Sequence, residues 1–251
     1  MFSSNILSHK ESNFGICVSV FAKNLSALRS NITLAKREKP DLIEVRLDYL
    51  RNLNRIDSLE RTLKLGNILL TFRRFSEGGA NGRISESQRV FQISKLLSEV
   101  EPDFLDIEIK TLQKHPEILK QIEHSNFTRL IASFHDLEGN SSSDDLLNVV
   151  VKAPLQSNSL YAVKVVRLAR SFSDNFIPLS LYSRSEFKRR RSPKLIAFCT
   201  GEVGKISRVL SVFAGSPLVY CSLLGKPAAA GQPTIKEFKQ MIRKIRSMFV
   251  T

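Results

Sequence analysis

Short apolar runs rich in β-branched residues recur along the chain and alternate with longer stretches of helical periodicity. The first run, 16–20, precedes a helical stretch at 24–39 that has Asn24 as its N-cap and stops at Pro40. Runs at 42–48, 67–73, 103–109, 128–134, 160–166, 194–200 and 217–222 predict seven more strands. Between them the periodicity predicts helices at 55–65, 85–100, 111–124, 143–152, 173–190 and 204–213, with a last one at 234–248. Eight strands alternating with eight helices, with no long linker or break in composition, predict a parallel α/β protein. The count favours a single (β/α)8 TIM barrel over residues 1–251, with an open doubly wound sheet as the alternative. No internal repeat is present, and no dinucleotide glycine fingerprint follows the first strand.

A parallel strand covered on both faces should be apolar throughout, and several of these are not. Glu44-Val45-Arg46-Leu47-Asp48 alternates, so period two places Glu44, Arg46 and Asp48 on one face and the apolar pair on the other. Asp106-Ile107-Glu108-Ile109 repeats the arrangement, Thr71-Phe72-Arg73 ends on an arginine, and Ser133 and His135 share a face of the fifth strand. These side chains fall toward the C-terminal ends of their strands, where a barrel builds its active site. Lys164 stands in the middle of the sixth strand, Leu-Tyr-Ala-Val-Lys-Val-Val. A buried ammonium is expensive there unless it pairs with a carboxylate or loses its proton, and the neutral amine can attack a ketone to form a Schiff base.

Composition narrows the setting. Of the 251 residues 42% are hydrophobic and 25% charged, which is ordinary for a globular protein. With no apolar stretch of transmembrane length and no signal peptide, the expectation is a cytoplasmic protein without a membrane partner. Cys17, Cys199 and Cys221 lack the number and spacing of a disulfide framework or a zinc site, so no metal is expected. The net charge of +14 sits mostly in the second half, densest at Lys188-Arg189-Arg190-Arg191 with Lys194 and from Lys236 to Arg246. Such runs read as solvated helical faces, and a basic scaffold for nucleic acid is disfavoured because no aromatic platform or helix-turn-helix accompanies them. Gly201 to Arg208 is a glycine turn opening a helix, either an anion site or a plain turn, and it is not a P-loop. Gly225 to Gln232 is a small-residue loop, either a lid or a connection.

Taken in order, Glu44-Val-Arg46-Leu-Asp48, Thr71-Phe-Arg73 with Glu77-Gly-Gly, Asp106-Ile-Glu108, Ser133-Phe-His135-Asp136, Lys164, Gly204-Lys-Ile-Ser-Arg208 and Ala-Gly-Gln232 resemble the type I 3-dehydroquinate dehydratases of the shikimate pathway. The resemblance runs from about Cys17 to Gln232. It implies a single barrel, usually a homodimer, with no cofactor. It also implies that Lys164 forms an imine with the ketone of 3-dehydroquinate, that His135 shuttles the proton, and that Glu77 orients the histidine, with Asp136 a rival for that task. Glu44, Arg46 and Arg73 would hold the ring hydroxyls and Arg208 the carboxylate, while Ser19, Tyr220 and Gln232 match further binding positions. Two departures stand out: Ala228 where many members have serine, and Tyr220 where phenylalanine is frequent. Some members are fused to shikimate dehydrogenase; no such domain is expected here, since the chain ends soon after the last helix. The rival enzyme reading is a class I aldolase, disfavoured because no glycine-rich phosphate cradle is present.

Overall fold

The computed structural model describes residues 14–51, 63, 67–125, 127–184, 187 and 193–248. Eight strands, β1 (Gly15–Phe21), β2 (Leu42–Arg46), β3 (Ile68–Thr71), β4 (Phe104–Glu108), β5 (Arg129–Asp136), β6 (Leu160–Leu168), β7 (Lys194–Thr200) and β8 (Leu218–Ser222), pair in parallel. Their order is β7-β6-β5-β4-β3-β2-β1-β8. A doubly wound sheet reverses its strand order partway; this one never does, and β8 returns to pair with β1. The result is a nearly closed (β/α)8 barrel whose seam lies between β7 and β8. Loop contacts bridge that seam at the C-terminal end, where Ala230 O accepts from Gly201 N (3.2 Å) and from Thr200 Oγ1 (3.0 Å).

The helices are α1 (Leu25–Arg37), α2 (Glu86–Val100), α3 (Ile109–Lys114), α4 (Pro116–His124), α5 (Ser143–Val150), α6 (Phe176–Ser180), α7 (Lys205–Ala214) and α8 (Ile235–Ser247). Asn24 caps α1 through its side chain, and Ser85, Ser142 and Thr234 open α2, α5 and α8 with reciprocal capping boxes. Two expected helices differ. The stretch at 111–124 is broken at His115, because the residue before Pro116 is pushed out of helical conformation (φ −131°, ψ 67°). The described residues of the stretch at 173–190 form the short α6, flanked by single 3-10 turns. The helix expected at 55–65 lies outside the described residues apart from Leu63, and so does the basic run 188–191. In α8 the expectation holds: Ile235, Phe238 and Ile242 are buried while Lys236, Lys239, Arg243, Lys244 and Arg246 face solvent.

The interior is layered along the barrel axis. Alternation turns Cys17, Leu42, Leu69, Phe104, Ile131, Ala162, Ile196 and Leu218 inward as an apolar floor. Two residues further along, the same faces present Ser19, Glu44, Thr71, Asp106, Ser133 and Lys164, joined by Phe198 and Tyr220, all buried. The outward strand residues pack against the helices in a separate, larger cluster that includes Val18, Val45, Leu70, Ile107, Val163 and Ala197. The apolar floor and outer shell hold the strands rigidly, so the polar layer is presented toward the C-terminal mouth with fixed geometry.

Candidate active site

Lys164 sits at the centre of β6 with 4% of its surface exposed. Its Nζ pairs with Asp106 Oδ2 at 3.0 Å and lies 4.1 Å from the centroid of the Tyr220 ring. The carboxylate partner that the sequence called for is therefore present. Asp106 also accepts from Arg73 Nη2 (2.7 Å) and Ser133 Oγ (2.6 Å). Burial alone would raise this carboxyl, yet the Arg73 and Lys164 charges outweigh it and hold Asp106 well below the usual carboxylate range.

His135, two residues beyond Ser133 on β5, is kept neutral by burial, with the Arg73 and Lys164 charges adding to the effect. Glu77 Oε2 accepts from the His135 backbone N–H (3.0 Å) and faces Nδ1 at 3.3 Å. With Glu77 ionised, that contact favours the proton on Nδ1 and leaves Nε2 as the basic nitrogen. Asp136, the alternative orienting group, is turned away: it caps the following loop through the N–H groups of Glu138, Gly139 and Ser141. Burial, with the charge of Glu108 next, pushes Glu77 up to about 7.

This shift predicts opposite changes in stability and activity. The folded-state value of about 7 exceeds the ordinary value of 4.5, so the native protein binds a proton between those pH values that the unfolded chain does not. Stability therefore declines as pH rises through that window, and the ionised carboxylate is a native-state burden at pH 8. Glu77→Gln is expected to stabilise the barrel at pH 8 by on the order of 1–2 kcal/mol and to leave it unchanged near pH 4. Its turnover is expected to fall about tenfold, because an amide holds the histidine tautomer less firmly. Urea titrations at the two pH values and an assay check both halves.

The remaining charges are largely committed to one another. Arg46 grips Asp48 with two nitrogens, Nε at 2.9 Å and Nη2 at 2.8 Å, so its partner is Asp48 and not Glu44. Glu44 instead accepts from Thr71 Oγ1 (2.9 Å) and from Ser19 Oγ. Arg73 spends its guanidinium on Asp106, Glu108 (2.9 Å) and Ser133 (2.7 Å). Arg208 is different. It projects from the first turn of α7 with 2% exposure, its guanidinium 4.3 Å from the Phe198 ring centroid, and Nε and Nη2 have no hydrogen-bond partner. Burial brings it down to about 10. A buried guanidinium with two free donors at a cavity wall is a receptor for a planar anion such as a carboxylate.

The 225–232 loop closes over this end of the barrel. Gln232 Oε1 accepts from the backbone N–H groups of Ala228 (2.8 Å) and Ala229 (3.3 Å), and its Nε2 donates to Ser19 Oγ (3.0 Å). Gly231, at φ 75°, lies so close to the β7 turn that a Cβ would stand 2.2 Å from Gly201 O. The loop therefore docks only because glycine is there.

Of the ten residues singled out from the sequence, nine line one cavity: Glu44, Arg46, Arg73, Glu77, His135, Lys164, Arg208, Tyr220 and Gln232. Ser19 lies behind that wall, between Glu44 and Gln232. Asp106 and Glu108, quoted only as a motif, prove to be the anions that hold Lys164 and Arg73. Counting charges on the inward side would have found them, because three inward cations, on β2, just after β3 and on β6, require carboxylates nearby. Val166, Phe198, Thr200 and Leu137 also line the cavity, and their sequence positions read as ordinary core or loop.

The profile of the type I 3-dehydroquinase family matches residues 16–248. The chain belongs to that family. It is 33% identical over 231 residues to 3-dehydroquinate dehydratase of Methanococcus maripaludis, covering 92% of this chain and 99% of that one. With the enzyme of Thermococcus onnurineus it is 30% identical over 226 residues, covering 90% and 96%. Among solved structures, 3-dehydroquinate dehydratase from Geobacillus kaustophilus superposes with a TM-score of 0.82 at 20% identity, over 93% of this chain and 91% of that one. The type I enzyme from Clostridium difficile gives 0.80 at 20% identity, over 95% and 94%. Among the described residues of this family member, no helix is long and apolar enough to cross a membrane.

Proposed function

We propose that this barrel dehydrates 3-dehydroquinate to 3-dehydroshikimate in the shikimate pathway through an imine on Lys164, working as a homodimer. The observation that carries the reading is one cavity lined jointly by Lys164, a neutral His135 and an Arg208 with two free donors. Each meets a separate demand of the substrate: a ketone for the amine, an acidic C–H for the base and a carboxylate for the guanidinium. Membership of the family supplies the substrate.

The chemistry then follows with charge conserved. Ammonium and ketone combine to iminium and water, one positive charge standing on each side. The iminium draws electrons from C2, whose proton becomes acidic enough for the His135 imidazole. Loss of that proton gives an enamine, which expels the C1 hydroxyl; the imidazolium returns its proton so that the group leaves as water. Hydrolysis of the conjugated iminium frees product and restores Lys164. Glu44, Arg46, Arg73 and Gln232 surround the ring hydroxyls, and the 225–232 loop limits access of bulk water.

Borohydride reduction with 3-dehydroquinate present tests the reading. A stable adduct mapped to Lys164 is expected; an unmodified lysine, together with no enone absorbance, would refute it. Arg208→Ala is expected to raise KM by about 10- to 100-fold with a much smaller change in kcat, because the carboxylate contact exists before and after the chemistry. The same variant should resist urea better than wild type, since it removes an unpaired buried charge. An equal loss in kcat at unchanged KM would contradict this role.

A further inference from the structure

The polar layer around Lys164 contains one group with no polar partner of its own. The hydroxyl of Tyr220 is buried without a hydrogen bond, and the residue has 2% of its surface exposed. A buried hydroxyl left unsatisfied normally costs stability, so its retention here does not explain the residue. The ring does something definite. Its centroid lies 4.1 Å from Lys164 Nζ, inside the range in which the negative face of an aromatic ring attracts a cation. On β8 the side chain spans the seam toward β7, where Phe198 packs against it at a centroid separation of 6.2 Å. The ring is therefore fixed by packing and not by its hydroxyl.

Only two contacts locate the lysine nitrogen among the described residues: the Asp106 oxygen at 3.0 Å and this ring. Asp106 is shared with Arg73 and Ser133, so its hold on Lys164 is diluted. Among the described residues no other cation lies over the ring; Arg208 lies over Phe198 instead. An aromatic face attracts ammonium and iminium, and a neutral amine or imine far less. We infer that Tyr220 is a positioning residue for the reacting nitrogen, whose ring face favours the cationic imine of Lys164 over the neutral imine.

This assignment rests on the imine reading above and adds to it. The neutral imine is a poor electron sink, so turnover must fail when the iminium loses its proton at high pH. Weakening the ring face should therefore move the alkaline limb of the kcat profile to lower pH and leave KM for substrate little changed. Other groups near the nitrogen are Asp106 on β4, His135 on β5, Arg73 after β3, Glu44 on β2 and Cys17 on β1. Arg208, from α7, faces the same cavity. None of these changes when only the ring at position 220 is altered, so a shift in the limb is attributable to that ring.

The experiment uses the intact chain with Tyr220→Phe, Tyr220→Met and a series carrying 4-fluoro-, 3,5-difluoro- and 3,4,5-trifluorophenylalanine at position 220. Fluorination drains the negative face and hardly alters shape, so the series stays informative even where Tyr220→Met fails to fold. Tyr220→Phe should keep the wild-type limb, and successive fluorines should lower it stepwise, by about half to one pH unit over the series. At a fixed alkaline pH that is a loss in kcat of roughly three- to tenfold. A limb that ignores fluorination, or that moves as far in Tyr220→Phe as in the trifluoro protein, would overturn the assignment to the ring. Borohydride adduct in the wild-type protein separates the outcomes: without it the imine reading fails, and with it an insensitive limb removes only the role of Tyr220.

Discussion

Replacing Lys164 by alanine is expected to reduce kcat by about four orders of magnitude or more and to eliminate the borohydride adduct. The size follows from what the residue supplies. Without the imine, the C2 proton of a plain ketone must be removed directly, and no cationic electron sink stands beside it. Arginine at the same place makes a sharper control, because it retains the charge and can still pair with Asp106 but has no nucleophilic amine. Both variants should fold. Asp106 keeps Arg73 Nη2 at 2.7 Å and Ser133 Oγ at 2.6 Å, so removing the lysine does not leave a buried carboxylate alone. The loss of stability should remain on the order of 1–2 kcal/mol, measured by urea denaturation. Turnover by either variant within tenfold of wild type would show that the lysine does no chemistry.

The barrel was legible because its two periodicities are clean. Apolar runs of strand length alternate with amphipathic stretches from 16 to 248, and the pairing order β7 through β1 and on to β8 is what that alternation implies once crossovers are short and right-handed. Element ends were blurred where local sterics decide. Pro116 splits one helix, and the described part of the segment after β6 forms a short helix between 3-10 turns where periodicity suggested a long helix. Polar residues at alternate positions of otherwise apolar strands marked the site, because nothing but a site or an ion pair explains charge in a strand covered on both faces.

Which charge meets which was not legible. Arg46 and Glu44 are neighbours in sequence and share a face, yet Arg46 reaches forward to Asp48, and Glu44 faces hydroxyls on β1 and β3. Partner choice depends on the stagger between strands, which sequence spacing along one strand does not encode. The same stagger places Asp106, two strands away from β6, against Lys164. For Glu77 and Asp136 the sequence offered two candidates at similar cost; the reach of the loop after β3 decided for Glu77, because the loop after β5 needs Asp136 for its own N–H groups. Unsatisfied donors are likewise invisible in a sequence. That Arg208 lines the cavity with Nε and Nη2 unpartnered among the described residues is a fact of packing, and it supports an anionic substrate more directly than the arginine's presence in a motif does.

Removing His135 should separate the two halves of the reaction. In His135→Ala the amine and ketone still meet, so the imine is expected to form while elimination stalls, with kcat reduced by about three orders of magnitude. The variant should therefore yield a borohydride adduct at least as abundant as wild type, since substrate accumulates on Lys164 instead of passing through. Glu77 would keep its hydrogen bond from the backbone N–H of residue 135, so the loop after β3 should stay in place. One imidazole would act twice in this scheme. Burial and the neighbouring cations keep it neutral; on the proposed mechanism it would accept the C2 proton, Glu77 would stabilise the resulting imidazolium, and that imidazolium would return the proton to the departing hydroxyl. Solvent exchange reads this directly: in wild type, deuterium from the medium should enter the C2 position slowly relative to turnover, because the proton is held and handed on. A variant that neither forms adduct nor exchanges would show His135 to be needed for imine formation as well, and the division of labour between the two strands would have to be redrawn.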